Sequence, residues 1–153
     1  MSRINDRLQE LGLTLPQLTP PVANYVPFTI SGNTLYVSGQ LPVEAGVISK
    51  GLLGKDISVE QGRAAARLCA INIIAQVSAA LGGDLDRVTR CLRLGGFVAS
   101  TPDFFDHPKV INGASDLIVD VFGDAGKHAR AAVGVSALPL GACVEVDAIF
   151  EIK

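Results

Sequence analysis

The chain has 153 residues, 48% of them hydrophobic and only 18% charged, with a formal net charge of −2. That apolar content excludes a disordered chain, and the near-balanced charge excludes a large phosphate-binding footprint. The uncharged stretch Leu68–Gly83, interrupted by Asn72, Gln76 and Ser78, falls short of the roughly 20 apolar residues of a membrane span. Soluble domains usually carry about 25% charged residues, so the deficit points to a single domain, residues 1–153, that hides surface against copies of itself.

Taken in chain order, Ser2 caps a short helix in which Ile4, Leu8 and Leu11 recur at helical spacing, and Gly12 ends it. Leu13–Pro27, with Pro16, Pro20, Pro21 and Pro27, reads as an arm laid along the surface, because proline lacks a donor and keeps its predecessor extended. Val26–Ile30 and Thr34–Val37 form a hairpin around Ser31-Gly32-Asn33, and Ser38-Gly39-Gln40 ends its second strand. Val47 and Ile48 suit a short edge strand.

Ser58-Val59-Glu60-Gln61 fits a capping box and Gly82-Gly83 a helix stop. Between them Leu68, Ile71, Ile74, Ala75, Val77 and Leu81 make an apolar face, with Glu60, Arg63, Arg67 and Gln76 mostly elsewhere. Val88–Ala99 reads as a strand in which Gly95-Gly96 marks a bulge or a close backbone approach. Thr101-Pro102 signals a helix start, and Lys109–Phe122 is helical up to Gly123. Two strands finish the chain, Arg130–Val135 and Cys143–Ile152, with a turn at Pro139-Leu140. In the last strand Val144, Val146, Ala148, Phe150 and Ile152 face one way, and Glu145, Asp147, Ile149 and Glu151 the other.

The order ββ-α-β-α-ββ favours an α+β two-layer sandwich, a mixed sheet with helices on one face. The other face would be bare on one chain, yet few charges are available to solvate it, so burial in an oligomer is expected. Phosphate-loop, dinucleotide and nucleophile-elbow motifs are absent. His107 and His128 sit in expected loops without a spaced partner, and Cys69, Cys91 and Cys143 form no metal or disulfide spacing. No metal or cofactor is expected. Without an apolar leader at Met1–Asp6, a reducing cytoplasm is the expected compartment.

The informative region is the C-terminal one. Arg130 heads an otherwise uncharged strand, so it is held by a carboxylate or waits for an anionic ligand that its planar fork suits. Read as a hairpin about Pro139-Leu140, the two last strands bring Glu145 to the same end of the sheet as Arg130. The readings that stand are a structural Arg130–Glu145 ion pair, a Glu145 that is simply solvated, or an anion clamp beside a carboxylate that manages a water molecule.

The run from Arg130 to Val146, an arginine opening a strand, then Leu138-Pro139, then Val144-Glu145-Val146, resembles the C-terminal signature of the RidA (YjgF-like) family, also labelled endoribonuclease L-PSP. Tyr36-Val37-Ser38-Gly39-Gln40-Leu41-Pro42 is similar to that family's strand ending in Ser-Gly-Gln-(Ile/Leu)-Pro. Tyr25 and Asn112 match its early tyrosine and its helical asparagine, and the resemblance spans roughly residues 20–153. It implies a chorismate-mutase-like fold assembled as a homotrimer, with ligand sites in the clefts between subunits. It further implies hydrolysis of reactive 2-enamine and 2-imino acids, such as 2-iminobutanoate and 2-iminopropanoate, to 2-keto acids and ammonia. Carried over by position, Arg130 would clamp the substrate carboxylate and Glu145 would orient the attacking water. Tyr25, Ser38, Gly39, Asn112 and the backbone of Ala132 would line the pocket.

The chain departs from the short family members in its N-terminal helix and proline arm, in a longer loop after Gly123, and in Ala132, where cysteine is common. A trimer that binds small ligands without turning them over is a competing reading. An endoribonuclease is another; the acidic balance, and the lack of basic residues interleaved with aromatics or of a histidine pair for acid/base work, argue against nucleic acid as a partner.

Overall fold

The strand and helix periodicities resolve into a five-stranded sheet backed by helices in the computed structural model, which describes residues 2–19 and 24–153. The elements are α1 (Arg3–Glu10), β1 (Phe28–Ser31), β2 (Thr34–Gln40), β3 (Val43–Glu44), β4 (Val47–Ile48), α2 (Val59–Ala80), β5 (Val88–Ala99), α3 (His107–Phe122), β6 (Ala129–Val135) and β7 (Val144–Ile152). Within the proline arm, Pro20 and Pro21 lie outside the described residues.

The sheet order is β1-β2-β7-β5-β6, and a separate ribbon pairs β3 with β4. β5 and β6 run parallel while the other neighbours are antiparallel. This corrects the hairpin expected at the C-terminus. β5 lies between β6 and β7, and the Pro139–Gly141 turn carries the chain across the end of β5 instead of folding it back on itself. A turn motif specifies a reversal of direction; it does not specify which strand receives the returning chain.

α2 packs over β2 and β7, and α3 over β5 and β6, with the two helices side by side. They meet closely because α3 offers Gly113 to α2, where any Cβ would run into the backbone of Arg63. Val144, Val146, Ala148, Phe150 and Ile152 of β7 are all buried, as their alternation predicts. The capping box at Ser58 is formed in full. The buried face of α2 is rotated from the expected one: it takes in Ala66, Cys69, Ile73 and also Gln76, while Leu68 and Ile71 are only half-buried.

Residues 101–106 form no helix. α3 starts at His107, with Pro108 in its first turn. Gly95 and Gly96 are a close approach, since a Cβ on Gly96 would lie 2.6 Å from Cγ1 of Ile111. The register irregularities of β5 fall earlier, between Val88 and Arg93.

α1 lies against α3 and the turn that follows α2, burying Ile4 and Leu8 in the core. Its first N–H groups, on Arg3 and Ile4, donate to the carboxylate of Asp86 at 2.9 Å each, and that of Asn5 donates to Ser2 Oγ. These are donors that a helix leaves unsatisfied at its start.

Candidate functional site

Paired residues on adjacent strands share a face of the sheet, which assigns each candidate side chain to one side. Arg130 is opposite Leu94, which is opposite the buried Ala148, so Arg130 belongs to the helix-covered side. Glu145 is opposite Phe97, which is opposite Val133, and Val133 is 45% exposed on the uncovered side. Arg130 and Glu145 therefore occupy opposite faces of one chain, and the structural ion pair between them does not form.

Arg130 is held instead by α3. Its Nη1 donates to Asn112 Oδ1 at 2.8 Å and to Ser115 Oγ at 3.1 Å. Both N–H groups of that nitrogen are thereby used. Its Nε and Nη2 have no partner among the described residues, and together they present a two-donor edge of the kind that meets a carboxylate bidentately. Ala132, next along the same face, is half-buried and packs on the core cluster.

On the uncovered side, Glu145 lies over the backbone of Gly39. A Cβ on Gly39 would lie 2.5 Å from Glu145 Oε2 and 2.8 Å from its carboxyl carbon, so glycine is what lets the carboxylate lie flat there. Ser38 and Gly39 fall where the β2–β7 register shifts, between Val37 and Gln40. Irregularities of this kind re-aim side chains and free backbone groups from the ladder. Burial, then repulsion from Asp147, pushes the proton affinity of Glu145 above the usual carboxylate range. Asp147 is also raised by burial, against which Arg93 acts from 3.7 Å.

Beside Ser38 and Gly39 opens a cleft of about 860 Å³, lined also by Leu18, Tyr25, Pro27 and Leu41 and, from α2, by Asn72 and Gln76. Tyr25 is 63% exposed at its mouth. Gln76 of α2 contributes to its floor with an Oε1 that has no hydrogen-bond partner among the described residues. Among the described residues no cluster of three or more histidine, cysteine or acidic groups could hold a metal ion. Cys143 is buried, and burial raises its thiol proton affinity, which argues against a nucleophile.

Thus Tyr25, Ser38 and Gly39 line the cleft, Glu145 lies against Gly39 without lining it, and Asn112 and Ala132 accompany Arg130. Four further residues belong to these two neighbourhoods. Asp147 stands two beyond Glu145 in the same alternation, and Arg93 lies in β5 with no motif to mark it. Ser115 stands one helical turn beyond Asn112, a spacing that places both on one face of α3. His128, read as a surface-loop residue, is half-buried with both ring nitrogens engaged.

This sheet, with its paired helices and its arginine and glutamate strands, defines a class that comparison identifies. A sequence profile described as "YjgF/chorismate_mutase-like, putative endoribonuclease" matches residues 5–152. The chain belongs to that YjgF/RidA family. It is 51% identical to protein TCP17 of Trypanosoma cruzi over 153 residues, 99% of this chain and 95% of that one. Among solved structures it is similar to protein Atu1372 of Agrobacterium tumefaciens, whose function is given as unknown, at 59% identity and a TM-score of 0.91, covering 98% and 94% of the two chains. A "putative endoribonuclease" of Shewanella oneidensis MR-1 aligns at 37% identity and a TM-score of 0.93, covering 97% and 99%.

Proposed function

We propose that this chain is a hydrolase of reactive 2-imino acids, an imine/enamine deaminase that converts them to 2-keto acids and ammonia as a homotrimer. The observation that carries the reading is the carboxylate of Glu145, laid over Gly39 beside an open cleft, with its proton affinity raised and without a cation of its own among the described residues. A carboxylate in that condition suits proton exchange with a water molecule. Since Arg130 stands on the other face, the reading requires a second copy, so that Arg130 of one subunit and Glu145 of its neighbour bound one cleft.

The chemistry asks little of the protein. The carbon of a protonated C=N bond is already electrophilic, so positioning supplies most of the acceleration. The Nε/Nη2 edge of Arg130 holds the substrate carboxylate. Glu145 takes a proton from the attacking water as its oxygen bonds to the imine carbon, giving a carbinolamine. Return of that proton to nitrogen lets the C–N bond break, and ammonia leaves as the hydroxyl proton is lost to give the keto acid.

The test generates 2-iminobutanoate enzymatically in the presence of semicarbazide and follows semicarbazone formation. The wild-type chain should divert the imine to free keto acid. Arg130→Ala and Glu145→Gln should each lower kcat/KM by about 100-fold, the order expected for losing a charge-assisted clamp or the water-directing base. No acceleration by a chain that still binds 2-oxobutanoate would establish the binding-protein reading instead. RNA cleavage abolished by Glu145→Gln would establish the endoribonuclease reading, which the hydrogen bonds do not favour: His107 meets Ser100 and His128 meets Ser115, so the two rings do not pair on a substrate.

A further inference from the structure

Arg130 is the end of a longer chain of hydrogen bonds that runs through the ring of His128. His128 Nδ1 lies 2.6 Å from the carbonyl oxygen of Gly126. A carbonyl can only accept, so Nδ1 carries a proton. In the neutral ring Nε2 is then an acceptor, and it faces Ser115 Oγ at 2.8 Å. The serine hydrogen is committed to that nitrogen, which leaves the oxygen's lone pairs for the N–H of Arg130 at 3.1 Å. The sequence of donations runs from Arg130 to Ser115, from Ser115 to His128 and from His128 to Gly126.

The far end is closely packed. Gly126 is buried, and its turn approaches α3 so closely that a Cβ there would lie 2.5 Å from the Ile118 carbonyl oxygen. Asn112 and Ser115, one turn apart on α3, hold the two N–H groups of the same guanidinium nitrogen. An arginine pinned through both hydrogens of one nitrogen loses its rotation about the last bonds of the side chain. Its remaining edge is ordered before any ligand arrives, which removes an entropy cost from binding.

We infer that Ser115 and His128 are positioning residues for the carboxylate clamp, with the Nδ1-protonated ring of His128 fixing the Ser115 hydroxyl so that the Nε/Nη2 edge of Arg130 is preset for an anionic group. The inference rests on the reading of Arg130 as a carboxylate clamp. It adds two residues to the site and gives each an orientation.

The experiment measures 2-oxobutanoate affinity by calorimetry, and KM and kcat in the imine assay, for the wild-type chain, Arg130→Ala, Ser115→Ala and Ser115→Thr. It also reads the ¹⁵N shifts of the His128 ring. Ser115→Ala should weaken 2-oxobutanoate binding about five- to tenfold, as for loss of one ordinary hydrogen bond, and the defect should fall on KM rather than kcat. Ser115→Thr, which keeps the hydroxyl, should restore affinity to within about twofold. The ring should show the neutral Nδ1–H tautomer. Wild-type affinity in Ser115→Ala with loss in Arg130→Ala would overturn the positioning role while leaving the clamp intact. Equal affinity in wild type and Arg130→Ala would overturn the clamp, and with it this inference. An Nε2–H tautomer would overturn the relay whatever the ligand data gave.

Discussion

Glu145, the proposed water-directing carboxylate, works against the stability of the chain that carries it. Its proton affinity is raised by burial and then by Asp147, so the protonated form is the one the fold prefers. A carboxylate whose folded pKa lies above its unfolded value contributes most below the ordinary range, and that contribution is lost as pH rises through the folded value. At pH 7 the ionised group therefore destabilises the folded chain. Glu145→Gln should melt at or above the wild-type temperature at pH 7, and the difference should shrink toward pH 4 while activity is lost throughout. A clear drop in melting temperature at pH 7 would show that the carboxylate holds the fold. Gly39→Ala adds a Cβ against the far end of the same side chain, which can swing away. Turnover should fall while the melting temperature changes little, since the displaced carboxylate no longer meets its water.

At the scale of elements, α1 is fastened by its start. Asp86 accepts from the backbone of Arg3 and Ile4 and from Ser2 Oγ at 3.1 Å, and the two backbone bonds are the main reason its carboxyl is held below the usual range. A depressed carboxylate stabilises above its unfolded pKa and loses that contribution as pH falls through the folded one. Asp86→Ala should lower stability by about 1 kcal/mol at pH 7, the typical value of a helix cap, or about 2–4 °C in Tm for a chain of this size. The gap should close as pH drops below the carboxylate range; melting curves at pH 7 and pH 3 check both. The capping of α1 by Ser2 and of α2 by Ser58 was legible because caps are local. Asp86 was not, being more than 80 residues away along the chain from the helix it caps. The same limit explains β6 and β7. The alternation in β7 put Glu145 and Val146 on their correct faces, but nothing local encodes that β5 slips between these strands. Ser38 and Gly39 were legible as a strand end, whereas the register shift that makes room for Glu145 exists only once β7 is paired.

At the scale of the molecule, the question is what covers the second face of the sheet. Tyr36 and Val133 are each 45% exposed there, in the company of the half-buried Glu145 and Asp147. A patch of this composition is costly to leave in solvent and rare on monomers. On the proposed site, the placement of Arg130 and Glu145 on opposite faces calls for more than one copy. One chain cannot offer both to a molecule of a few carbon atoms, whereas two copies set face against edge can. A closed ring of three would mass about 48 kDa, three times the 16.0 kDa of one chain. Light scattering behind a sizing column should read that mass, and Val133→Asp, which buries a charge in the seam, should reduce it toward one chain and abolish imine hydrolysis together. Mixing Arg130→Ala with Glu145→Gln chains separates assembly from chemistry. If each cleft takes its arginine from one copy and its glutamate from the next, mixed trimers regain a fraction of intact clefts from two inactive parents. Activity that stays at the level of the parents after subunit exchange would mean that both groups act within one chain, against the faces on which the sheet register sets them.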